Sequence, residues 1–137
     1  MAKVLKFSIR TKGKTDIVDI TDMVAAAVAK SEAKNGCAVV FVPGSTAAVT
    51  TMEYEAGLKK DIPNALEKIA PTNADWDHHK AWNDKNGAAH IKSSLIGPSL
   101  AIPFENGKLL LGTWQQIVLI DFDNEPRTRD LIVAIIF

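Results

Sequence analysis

Ser99-Leu100-Ala101-Ile102-Pro103-Phe104-Glu105-Asn106-Gly107-Lys108-Leu109-Leu110-Leu111 decides how this chain folds. Two apolar runs flank Asn106-Gly107, and both of those residues accept the positive φ that a tight hairpin turn demands. The stretch predicts two antiparallel strands, over 99–104 and 108–120. Gly112-Thr113-Trp114-Gln115-Gln116 interrupts the second. A glycine inside a strand marks a bulge or a close backbone approach. Trp114 then reads either as the core ring of a bulged strand or, with Gln115, as the wall of a pocket. Further along, residues 131–137 are apolar at every position, the pattern of a strand that needs cover on both faces.

Working back from the hairpin, residues 88–96 read as a short helix or strand closed by Gly97-Pro98. Residues 72–87 have no period, and loops of this length in compact domains are usually functional or disordered. Trp76 and Trp82 argue against disorder, because large rings gain by burial. Residues 55–69 read as a helix kinked or divided at Pro63, which lacks an N–H and crowds the preceding turn. Residues 45–52 predict a strand, and so do residues 37–42, with Pro43-Gly44 between them. Residues 23–34 are Ala-rich helix material. Thr21 or Asp22 would cap its start, and Asn35-Gly36 would end it. Imperfect alternation over 4–9 and the short run Ile17, Val18, Ile20 give two more strands. The order predicts an α+β fold with a largely antiparallel sheet and two helices.

The chain has 137 residues, one domain's worth. Its 16 basic and 16 acidic side chains cancel, which argues against a nucleic-acid binder or a polybasic membrane-surface module. No apolar run approaches the ~18 residues of a membrane span. The charged start at 1–7 does not read as a secretory leader, so the cytoplasm is the expected compartment. The lone Cys37 permits neither an intramolecular disulfide nor a zinc–thiolate cluster. It sits in an apolar run and reads as a small buried hydrophobe.

All three histidines, His78, His79 and His90, fall within thirteen positions. Asn83, Asp84 and Asn86 share that window, and Asp75 and Asp77 stand just ahead of it. Imidazoles with carboxylates suit a divalent metal where thiolates are missing, or general acid–base chemistry near neutral pH. A solvated polar loop would look the same. Pro43-Gly44-Ser45-Thr46 reads as an anion cradle or as a simple turn between strands. Glu53 and Glu55 would share a strand face, as a metal-binding pair or merely as solvated carboxylates. Arg127 and Arg129 would also point the same way, toward phosphate or a carboxylate.

Four blocks in order make the chain resemble the YjbQ-like family, whose usual label is secondary thiamine-phosphate synthase. They are Pro43-Gly44-Ser45-Thr46 through Met52-Glu53 to Asp61, and Trp76-Asp77-His78 with Trp82 through Asp84-Lys85-Asn86-Gly87 to His90. Ser94 through Gly97-Pro98 to Leu100 is the third, and Leu111-Gly112-Thr113-Trp114-Gln115-Gln116 through Asp121-Phe122-Asp123 to Arg129 is the fourth. His79 stands where many relatives have Asp, Trp76 where many have Tyr, and Gly44-Ser45-Thr46 where many have His-Thr-Ser.

The resemblance implies a single YjbQ-like domain over 1–137, a sandwich with one bent, bulged sheet, and a homotrimer. It implies a transferase joining a pyrimidine pyrophosphate to a thiazole phosphate, as its main or a secondary activity. The work of such an enzyme is to neutralise the departing pyrophosphate and align the attacking nitrogen. On that reading His78 and His90 hold a divalent ion, zinc or magnesium, with Asp84 or Glu53 as carboxylate. Ser45, Thr46, Asn86, Gln115, Arg127 and Arg129 bind the phosphorylated small molecule, and Trp114 stacks on its ring. The alternatives are a metal-dependent hydrolase of phosphate or other esters, and a non-catalytic trimer that binds a small ligand or metal.

Overall fold

The structure is a computed structural model describing residues 1–137. Its elements are β1 (Ala2–Thr11), β2 (Asp16–Asp19), α1 (Thr21–Ser31), β3 (Gly36–Phe41), β4 (Ala47–Met52), α2 (Leu58–Ile69), α3 (His79–Trp82), α4 (Gly87–Ile96), β5 (Ser99–Glu105), β6 (Lys108–Leu109), β7 (Gln116–Asp121) and β8 (Arg127–Ile136).

The hairpin forms where the sequence places it. Asn106 and Gly107 take φ of 52° and 74°, and Glu105 pairs with Lys108 across the turn. The second arm is shorter than expected, ending at Leu109. Gln115 N–H donates to Gly112 O, and Gly112 N–H donates to Gln115 Oε1, both at 3.0 Å. This local turn carries the chain out of one sheet and into the other, so Gly112 marks a turn and not a bulge. Trp114 is 72% exposed there and belongs to no core.

The sandwich is antiparallel throughout, with sheets ordered β1-β8-β3-β5-β6 and β2-β7-β4. Between them lies an apolar core into which α1 sends Val24, Ala27 and Val28. Strand β7 is buried on both faces. Ile117 and Leu119 enter that core, while Val118 and Ile120 join a second cluster with Ala89 of α4. Leu58, Ile62 and Leu66 of α2 pack against this second cluster. Their spacing of four residues puts them on one helix face.

Four helices stand where the sequence predicted two. Helix α2 runs unbroken through Pro63, residues 87–96 resolve as helix, and a single turn, α3, lies inside the long loop. Trp82 on that turn is 75% exposed, against the expectation of burial. Neither Thr21 nor Asp22 caps α1: Ile20 holds the cap position, and Asp19 Oδ1 accepts from Thr21 N–H at 2.9 Å. The helix ends at Ser31, ahead of the expected stop, because Glu32 takes the left-handed conformation at φ 62°.

Strand β8 is central, between β1 and β3. Its Leu131, Val133 and Ile135 are buried, whereas Ile132 and Ala134 are half-buried and Ile136 is 50% exposed. Within one chain, then, only one face of this strand is covered. No helix is long and apolar enough to cross a membrane.

Candidate functional site

The long loop and the first turn of α4 gather the polar residues. Asn86 is buried at the cap position of α4 and gives no side-chain bond to the helix. In the orientation that satisfies its neighbours, its amide nitrogen lies 2.8 Å from Asp84 Oδ1, 3.2 Å from Asp84 Oδ2 and 3.2 Å from His78 Nε2. His78 Nε2 is also 3.6 Å from Asp84 Oδ1. One turn into α4, the His90 ring sits 4.3 Å from the His78 ring, centroid to centroid, tilted by 55°. Burial holds His90 below the ordinary imidazole value. The like charge available on His78 adds to this, and Asp84 and Asp123 pull the other way. A ring so placed is neutral, and so able to accept a proton, at neutral pH.

His79 has a structural task. Its Nε2 accepts from Gly87 N–H at 3.0 Å, satisfying one of the amides a helix leaves free at its start. A Cβ on Gly87 would fall 2.8 Å from Trp76 Cβ and 3.0 Å from His79 Nε2, so glycine is what lets loop and helix close here.

Beneath the histidines runs a second polar layer, from the strand ends. Arg129 Nε donates to Asp121 Oδ2 at 2.7 Å, and Arg129 Nη2 donates to Asp121 Oδ1 at 2.8 Å. Asp121 is fully buried. Burial alone would raise its carboxyl, but the bonds from Arg129, Thr11 Oγ1 and Asp123 N–H outweigh it and hold the group below its ordinary value. Arg129 is correspondingly raised, chiefly by Asp121. Thr46 Oγ1 accepts from Arg129 Nη2 at 2.7 Å and donates to Asp123 Oδ2 at 3.1 Å. Asp123 Oδ2 also accepts from Arg127 Nε at 2.9 Å. Of the residues of the expected anion cradle, Thr46 is buried and bonded within the protein, whereas Gly44 is exposed, and a Cβ added there would meet Arg129 Nη1 at 3.0 Å. Ser45 is exposed.

Arg127 is half-exposed, and its Nη groups have no protein partner. With Asp84, Asn86 and Asp123 it lines a cavity of about 340 Å³ that contains no apolar side chain. The structure thus brings His78, His90, Asp84, Asn86, Thr46, Arg127 and Arg129 to one end of the sandwich. Glu53, Trp114 and Gln115 lie elsewhere. Glu53 and Trp114 line a shallow pocket with Asp19 and Tyr54, and Gln115 donates to Thr51. Strand β4 separates Glu53 from Thr46, a span of about 23 Å at ~3.3 Å per residue. Glu55 does not pair with Glu53; it accepts from Gly57 and Leu58 N–H at the start of α2.

No group of three His, Cys, Asp or Glu side chains is arranged to hold a metal ion. His78, His90 and Asp84 are donor types that zinc accepts, but their arrangement is not a preformed three-ligand site. What it can do on its own is move protons: a half-buried neutral imidazole touches a second imidazole, itself beside a carboxylate. Asp121 and Asp123, which support the site, escaped the sequence reading. Their signal was the spacing of Asp121 and Asp123 ahead of Arg127 and Arg129, two alternating pairs of opposite charge.

Fold and site together define a small α+β sandwich carrying a histidine–carboxylate cluster at one end. Comparison with known proteins narrows the class. The model of the UPF0047 protein YjbQ-like family matches residues 5–137, and the chain belongs to that family. It is 40% identical over 129 residues to a UPF0047 protein of Archaeoglobus fulgidus, covering 94% of this chain and 98% of that one. It is 37% identical over 130 residues to the YugU protein of Bacillus subtilis, covering 94% of each. Among solved structures, a hypothetical protein of Aeropyrum pernix superposes with a TM-score of 0.91 at 31% identity over 98% of each chain. A YbjQ-like protein of unknown function from Sulfolobus solfataricus gives 0.88 at 35% identity, again over 98% of each.

Proposed function

We propose that this protein is an acid–base enzyme acting on a phosphorylated small molecule, with His90 accepting or delivering the proton. The observation that carries the reading is the His78–His90 contact beside Asp84 and Asn86, two residues that also line the polar cavity. Arg127 supplies a cation there for a charged leaving group. Thiamine phosphate formation is the reaction to which the sequence resemblance directs this chemistry. The thiazole nitrogen would attack the pyrimidine methylene, and the C–O bond would break with its electrons leaving on pyrophosphate.

A second reading, hydrolysis of a phosphate ester, is favoured by one observation. The cavity has no apolar wall, and Trp114 lies at the far end of β4, so the Trp114 of the same subunit does not stack on a substrate held there. In that reaction His90 takes a proton from water as it attacks phosphorus, and the P–O bond to the ester oxygen breaks with its electrons leaving on that oxygen, which departs as the alcohol once the protonated His90 returns the proton. A divalent ion entering with the substrate would find His78, His90 and Asp84 as donors.

The test is turnover of the pyrimidine pyrophosphate with the thiazole phosphate, set beside a panel of phosphate monoesters and pyrophosphate, with and without added zinc or magnesium. Activity in either arm that falls at least ~100-fold in His90→Ala, the low end of what one acid–base group contributes, supports the proposal. Equal rates in wild type and His90→Ala remove His90 from the mechanism. Binding without turnover in any arm makes the protein a ligand-binding module.

The assembly belongs to the same proposal. The outer face of the larger sheet presents Val4, Val39, Phe41, Ile132, Ala134 and Ile136, at positions the ladder places side by side. An apolar face of this kind marks an interaction site, and the homotrimer implied by the family resemblance would cover it with further copies of this chain.

A further inference from the structure

Next to the polar cavity, and sharing Asn86 and Asn124 with it, lies a second pocket of about 370 Å³. That is within the ~300–1,000 Å³ typical of small-ligand sites. Lys14, Lys85 and Lys92 line it, and Glu67 is its one carboxylate. Lys92 is 4% exposed, an uncommon fate for a lysine. Its Nζ gives one hydrogen bond, to Glu67 Oε2 at 2.8 Å, and has two further N–H groups to donate. Glu67, held down to about 2 chiefly by that bond, is fully ionised and offsets one of the three cations. The pocket is left with two positive charges in a chain whose net charge is zero. Its floor is Phe122 with Ala88 and Ala89, the second and third residues of α4. Their amides lie in the first turn, where Asn86 gives no side-chain cap and His79 takes up the Gly87 N–H, and free backbone N–H groups at such a helix start favour an anion.

We propose that this lysine pocket binds the phosphate group of the ligand, with Lys14 and Lys85 as point charges and Lys92 as the buried donor. A phosphate monoester carries about −1.5 to −2 charge at neutral pH, matching the excess of two. The phosphate-binding role expected of Ser45, Thr46 and Arg129 thereby passes to residues the sequence reading did not single out. This inference extends the proposed function, since a ligand anchored here would reach past Asn86 to His78 and His90. It does not need the reaction to be correct, because its readout is binding.

The experiment titrates inorganic phosphate into the ¹⁵N-labelled protein at fixed ionic strength, with acetate as the control anion. The expected result is saturable movement of the Ala88 and Ala89 amides with phosphate and at least tenfold weaker response to acetate. Lys14→Gln/Lys85→Gln should weaken phosphate at least tenfold, while His90→Ala should stay within twofold of wild type. These lysines are exposed, so their replacement leaves the core untouched, and an unchanged spectrum elsewhere verifies the fold. An unaltered affinity in the double variant overturns the proposal. So does an equal response to acetate, or no saturable movement at all. Phosphate binding with no turnover on any substrate would sink the enzymatic reading alone.

Discussion

Arg129 meets Asp121 through two short, charge-assisted bonds inside the protein, and Thr11, Thr46 and Asp123 occupy the remaining sites around the pair. Removing one charge strands the other. Asp121→Asn is expected to cost roughly 3 kcal/mol, the low end for breaking a buried pair, because the amide keeps some hydrogen bonding. Urea denaturation checks this; a loss under ~0.5 kcal/mol, the ordinary surface range, would show the pair to be dispensable. The pH sign follows from the depressed Asp121 carboxyl. Its contribution is complete above the ordinary carboxylate range and is lost as acid protonates it. The Arg127-x-Arg129 spacing showed in sequence that both side chains share a face. It did not show which anion they meet, because Asp121 and Asp123 arrive through a turn between β7 and β8 whose path no periodicity records. Gly87 is similar: its sequence context says turn, whereas the structure says close approach. Gly87→Ala should loosen the His79 contact and cost about 1–3 kcal/mol as an overpacked site.

At the scale of elements, the hairpin was legible because its signal is local. Asn106 and Gly107 specify the turn with no help from the rest of the chain. Gly107 has open space around the position of a Cβ, so Gly107→Ala isolates the backbone term, a loss of about 1 kcal/mol from forcing alanine to positive φ. A thermal melt unchanged by that substitution would contradict the turn assignment. The fate of 110–115 was not legible, since Leu110 and Leu111 continue the apolar pattern of a strand while the chain is already leaving the sheet. Helix α2 was legible despite Pro63, because Leu58, Ile62 and Leu66 keep their four-residue spacing through it. Its tie to α4 was not, for Glu67 and Lys92 lie on separate helices with the whole loop between them. Glu67 is depressed from 4.5 to about 2, so its contribution is complete above 4.5 and falls away as pH drops toward 2. Glu67→Gln should therefore lower Tm at pH 6, while the gap to wild type narrows by pH 3. A gap that stays constant with pH would mean that the charge of Glu67 contributes nothing.

Over the whole molecule, zero net charge conceals an uneven distribution. Lysines gather in one pocket, carboxylates and arginines pair beneath the histidines, and the outer face of the large sheet carries an apolar patch with Lys6 at its edge. The sequence showed the all-apolar end of β8 but not that one of its faces lacks cover within the chain. Ile136→Lys places a charge on that face without touching the buried row of Leu131, Val133 and Ile135. Under the proposed homotrimer, it should shift sedimentation from trimer to monomer while leaving the far-ultraviolet spectrum unchanged; a wild-type chain that sediments as a monomer, or a trimer unaffected by the charge, would contradict that use of the face. The proposed chemistry requires His78, Asp84 and His90 to act as one coupled proton-transfer unit. Its most direct measurement is the titration of the imidazole resonances by long-range ¹H–¹⁵N spectroscopy in wild type, His78→Ala and Asp84→Asn. The account predicts a His90 midpoint below the ~6.5 of a free imidazole, moving up when the like charge of His78 is removed and down when Asp84 is neutralised. A His90 midpoint at or above the free value, unmoved by either substitution, would contradict it.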